Sequence, residues 1–142
     1  MKRKLMFFCT SVVSILLVSL MLGFTVQAGQ SSGSYIWKNA NENSGTDFWK
    51  ASYSYFDGLK KRSLVFSEDC NNECILQIDV TTLSGELDIT IIDTSGTELY
   101  SYENIDTSQF DVELSDKGDY QIRIDGRKHE GSFSVKSKTT ES

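Results

Sequence analysis

His129 is the only histidine of the chain, and an imidazole is the side chain best suited to move a proton near neutral pH. It stands in Arg127-Lys128-His129-Glu130-Gly131, between two segments that read as strands, where an exposed turn is its expected setting. A general base needs a nucleophile to serve, and no serine lies at the strand-to-helix junction that a nucleophile elbow requires. Carboxylates are plentiful, and a pair of them hydrolyses glycosides without histidine. Such a pair needs a deep cleft, which a chain of 142 residues has little material to build. Neither catalysis nor a cofactor is expected.

Two other groups of residues carry chemistry. Cys70 and Cys74 are separated by Asn71-Asn72-Glu73, and in an oxidising compartment they are expected to join as a structural disulfide across a tight loop. A zinc site would need two more ligands than this pair offers. Glu68, Asp69 and Glu73 crowd the same loop, and carboxylate oxygens suit calcium. The Asp-x-Asp-x-Asp-Gly order of a calcium loop is absent, so solvated surface is the expectation and no metal is assigned. The second group is aromatic. Trp37, Tyr55, Tyr100 and Tyr102 are candidate ligand-binding residues, because rings on a flat sheet stack on sugars or grip a partner protein. Trp49 and Tyr53 are expected in the core, and Leu99 is expected to point inward, leaving Tyr100 and Tyr102 toward solvent.

The elements that would position these residues follow from the sequence pattern. Lys2, Arg3 and Lys4 precede an apolar run from Leu5 to Val26, and Val26-Gln27-Ala28 leads into Gly29. This is the layout of a secretory signal peptide cleaved between Ala28 and Gly29; an uncleaved anchor is the alternative, since the run is long enough to span a bilayer. The boundaries expected are residues 1–28 as signal, 29–34 as a loose start, 35–136 as one domain and 137–142 as a loose tail. The signal takes three of the 14 basic residues and none of the 20 acidic ones, leaving 11 minus 20, a net charge of −9. That charge disfavours nucleic acid and anionic membrane surfaces as partners.

Along the remaining chain, apolar and polar residues alternate with period two between clusters of Gly, Asp and Ser. Tyr35 to Lys38, Phe48 to Phe56, Arg62 to Ser67, Cys74 to Thr82, Glu86 to Asp93, Thr97 to Glu103, Gln109 to Leu114, Asp119 to Asp125 and Gly131 to Lys136 read as strands. Asn39 to Thr46 reads as a loop and Asp57-Gly58 as a hairpin turn. Eight or nine short strands predict an all-β, antiparallel two-sheet sandwich.

Gly85-Glu86-Leu87-Asp88-Ile89-Thr90-Ile91-Ile92-Asp93, then Ser95-Gly96-Thr97-Glu98-Leu99, Lys117-Gly118-Asp119-Tyr120-Gln121-Ile122-Arg123-Ile124 and Gly131-Ser132-Phe133-Ser134-Val135 resemble the bacterial pre-peptidase C-terminal β-sandwich. The chain is also similar to small stand-alone secreted proteins of Gram-positive bacteria. The resemblance implies a jelly-roll-like sandwich and export, and supplies no catalytic group. The expected function is that of a secreted, non-enzymatic binding module for a glycan or a protein. An assembly subunit that pairs through an exposed edge strand is the alternative, and a small carbohydrate hydrolase the third.

Overall fold

Period-two alternation makes extended backbone with one apolar face, and that face can be buried only against a second such layer. The computed structural model describes residues 33–66, 74–114 and 118–138, and among them there are strands and no helix. The strands are β1 (Tyr35–Lys38), β2 (Asn41–Ser44), β3 (Phe48–Phe66), β4 (Cys74–Ile92), β5 (Glu98–Tyr102), β6 (Ser108–Leu114) and β7 (Gly118–Lys138). The signal segment with Ala28 and Gly29, the acidic residues Glu68, Asp69 and Glu73, and Cys70 lie outside the described residues.

β3, β4 and β7 are far longer than ordinary strands, and each belongs to both layers. In the first layer, residues 48–53 of β3 pair with residues 131–136 of β7, which pair in turn with the first half of β4; β2 and β6 close the two edges. In the second layer, the other halves of the same three strands pair in the same order, and β1 and β5 close the edges. All pairings are antiparallel. Among the described residues each layer therefore has five strands, β2-β3-β7-β4-β6 and β1-β3-β7-β4-β5.

The two expected strands in each of β3, β4 and β7 are thus one continuous strand bent in the middle, and Asp57-Gly58 is not a hairpin turn. β1 pairs with β3 through that position and β7 pairs on either side of it, so the chain runs on as one strand, with Gly58 at φ +117° taking the bend. The register shifts near Tyr53 and Phe56 in β3 and between Thr82 and Glu86 in β4. Each bend takes up one extra residue, so the buried positions change from odd to even along β3 and from even to odd along β4 and β7 while the same face stays inward. Leu83, at the β4 bend, is left 71% exposed. Gly85 has φ +75°, and a Cβ there would run into the carbonyl of Lys128; only glycine fits. Lys128 itself has φ +51°, and its backbone N–H donates to the Asp57 carboxylate at 3.1 Å.

The core lies between the layers. Trp49, Ala51, Tyr53, Leu76, Ile78, Val80, Phe133 and Val135 come from the first, and Phe56, Leu64, Leu87, Ile89, Ile91, Ile122 and Ile124 from the second; all are buried. The layers meet where Trp37 of β1 packs 5.6 Å from Tyr53, and where Tyr102 of β5 packs 4.8 Å from Phe110 of β6. Cys74 is buried at the start of β4. Strand ends differ from expectation by a residue or so at β5 and β6, and more at two places. The polar segment read as a loop contains β2, and β7 runs on to Lys138.

Candidate functional site

His129 is not an exposed turn residue. It sits at the bend of β7, fully buried. The Tyr53 hydroxyl lies 2.8 Å from its Nδ1, and the Thr82 Oγ1 lies 2.9 Å from its Nε2. The Thr82 hydroxyl donates its one proton to the carbonyl of Ile105 at 2.8 Å, so Nε2 must be the donor to Thr82 and Nδ1 the acceptor from Tyr53. Burial lowers the imidazole pKa and raises that of the Tyr53 phenol, which keeps both neutral. With both ring nitrogens engaged, the ring ties β3, β7, β4 and the segment before β6 together.

The predicted aromatic residues are scattered. Tyr100 and Tyr102 pair in register with Ile91 and Ile89, so they share the inward face. This register reverses the expected parity; Leu99, the extra residue of a bulge between Ile91 and Ile92, is 40% exposed, and Tyr100 38%. The tyrosine rings lie 8° from parallel, 6.3 Å apart, and the Tyr100 hydroxyl donates to the Glu113 carbonyl at 2.8 Å. They close the side of the sandwich between β5 and β6. Tyr55 faces outward beside the β3 bend, with the Lys38 ammonium 5.0 Å from its ring centroid.

Trp37 belongs to a cluster that sequence reasoning missed. Lys60, on an inward position of β3, is 2% exposed. Its ammonium donates to both oxygens of Glu42 at 2.8 Å and lies 3.9 Å from the centroid of Trp37 and 4.7 Å from that of Tyr35. The Trp49 Nε1 donates to the same carboxylate at 2.7 Å. Glu42 of β2 and Lys60 of the second layer thus clamp the two layers together. The cage is filled by the protein's own cation, and the pairing and ring faces compensate its burial.

An open concave feature lies elsewhere. On the outer face of the first layer lies a groove of about 550 Å³, floored by Ala51 and Phe133. Two cross-strand rows line it. Register places Asn43, Lys50, Ser134 and Asp79 in one row, and Asn41, Ser52, Ser132 and Thr81 in the next. Among the described residues, no hydrogen bond or ion pair engages any of these eight side chains. Their donors and acceptors face the groove. They are the polar positions of the alternation that built the core, so the signal in the sequence was the set of residues between the apolar ones, Ser132 and Ser134 beside Phe133 above all. Among the described residues, no three of His, Cys, Asp and Glu converge as metal ligands would.

No family model matches the chain, and no curated protein does; the pre-peptidase C-terminal resemblance rests on its strand and turn signatures alone. Among solved structures, the chain is similar to the family 11 carbohydrate-binding module of the cellulosomal cellulase Lic26A-Cel5E of Clostridium thermocellum. Identity is 16% over 78% of this chain and 85% of that one, with a TM-score of 0.38. It is similar also to TmCBM61, solved with β-1,4-galactotriose, at 10% identity over 78% of this chain and 83% of that one, TM-score 0.36. A third is the enzymatically active domain of bacteriophage CBA120 tailspike protein 4, at 11% identity over 75% of this chain, TM-score 0.40; the chain spans 18% of its length. Likeness at this level carries no ligand or activity from those proteins to this one.

Proposed function

We propose that the chain is an exported, non-catalytic module that binds a glycan in the groove across β2, β3, β7 and β4. Export rests on the Lys2 to Ala28 pattern. The groove carries the rest of the reading: it is open and lined by amides, hydroxyls, one ammonium and one carboxylate that no group among the described residues engages. Water satisfies such groups in the free protein, and a polyhydroxylated chain replaces that water bond for bond. A protein partner would call for a desolvated apolar or aromatic centre, whereas here only Ala51 and Phe133 are apolar. Hydrolysis of a glycoside uses two carboxylates, and Asp79 is the only one lining the groove.

The test is retention of the purified protein on insoluble polysaccharides, followed by competition with soluble oligosaccharides. Retention is expected, and Ser52→Ala combined with Ser132→Ala should weaken it by about tenfold, at roughly 0.5–1.5 kcal/mol for each hydrogen bond lost. Tyr100→Ala with Tyr102→Ala, on the opposite layer, should leave it unchanged. Failure to bind any polysaccharide, or binding that follows the tyrosines, would reject the groove.

A further inference from the structure

We infer that the groove, on the reading just proposed, selects an uncharged polyhydroxylated chain, and that Lys50 and Asp79 are the residues that impose this choice and fix how the chain lies. Lys50 pairs with Ser134 across β3 and β7, and Ser134 pairs with Asp79 across β7 and β4. The two charged residues therefore stand in one row, two strand spacings or about 10 Å apart, with a small hydroxyl between them. Both are exposed, and among the described residues neither is in an ion pair. Elsewhere on this face Lys138 is paired with Asp111 at 3.2 Å.

An ammonium only donates and a carboxylate only accepts. A ligand carrying an anion along this row meets Asp79, and it also meets a chain whose net charge is −6. A ligand carrying a cation meets Lys50. A hydroxyl satisfies both, because it accepts from Lys50 at one end of the row and donates to Asp79 at the other. The groove thus rejects either sign of charge, with a fixed donor at one end of the row and a fixed acceptor at the other. The rows run across the strands from β2 to β4, about 14 Å, so the ligand lies perpendicular to the strands.

The experiment is affinity electrophoresis of the purified protein through gels holding a neutral polysaccharide (β-1,4-galactan, mannan or xyloglucan), polygalacturonate, or chitosan, at low and high salt. Retardation is expected by a neutral polymer, with no dependence on salt. Lys50→Met and Asp79→Ala should each weaken it by about tenfold or more, as for loss of a hydrogen bond to a charged group. Asp79→Lys should make polygalacturonate the better ligand. If the unaltered protein is retarded best by polygalacturonate or chitosan, and Lys50→Met or Asp79→Ala abolishes this, the neutral-ligand inference falls while the groove stands. If no polymer retards it, or Ser52→Ala with Ser132→Ala changes nothing, the groove falls and the inference with it. Both substituted side chains are exposed, and an unchanged melting temperature confirms that the variants fold.

Discussion

At the scale of single residues, the two buried polar clusters make the sharpest predictions. His129 is the only histidine, and its pKa is lowered by burial. The unfolded chain takes up the proton near pH 6.5 and the folded one only at lower pH. As pH falls below about 6.5 the unfolded state therefore gains protons first, and stability drops until the folded pKa is passed. Chemical denaturation between pH 7.5 and about 5 should show this slope, and His129→Gln, whose amide does not titrate, should remove it. The Lys60 cage makes a second prediction. Glu42→Ala leaves a buried ammonium without its partner and should destabilise the protein by about 3–5 kcal/mol, whereas Lys60→Met should lose much less; equal losses in urea melts would refute the clamp. Trp49 and Tyr53 were legible as core from their alternation. His129 was not, because its polar neighbours Arg127, Lys128 and Glu130 read as a turn, and the residues that engage it are remote in sequence. Lys60 escaped because a lysine on an apolar face is ordinarily a break in the pattern rather than part of it.

At the scale of the element, alternation identified β1, β5 and β6 closely and both halves of β3, β4 and β7. The bends were read as chain reversals because glycine and aspartate mark both, and local sequence does not distinguish a corner within a strand from a turn between two. The difference is set by pairing, since partners on both sides of Asp57-Gly58 carry the chain on as one strand. The corner has a direct test. At Gly85, with φ +75°, an added methyl would meet the Lys128 carbonyl, so Gly85→Ala should cost about 2 kcal/mol or more. At Gly96, also at positive φ but with open space around it, the same change should cost about half as much. Thermal melting of the two variants compares them, and equal losses would count against the close approach at the corner.

For the whole molecule, the groove was present in the sequence only as the complement of the core. Which polar positions share a row depends on register between strands as remote as β3 and β7, where Lys50 meets Ser134, and no local pattern encodes that. The same remote pairing slows assembly. Folding that brings Phe48 beside Lys136 before either half is stable should fall in the millisecond-to-second range typical of non-local β-folds, and stopped-flow refolding with microsecond completion would contradict it. Three backbones run through the corner from one layer into the other, so the layers are tethered covalently three times over. Neither sheet can peel away or slide past its mate as two separately closed leaves could. Under mechanical tension, as in a force-extension measurement, the protein should lengthen in a single abrupt event, with no half-opened form.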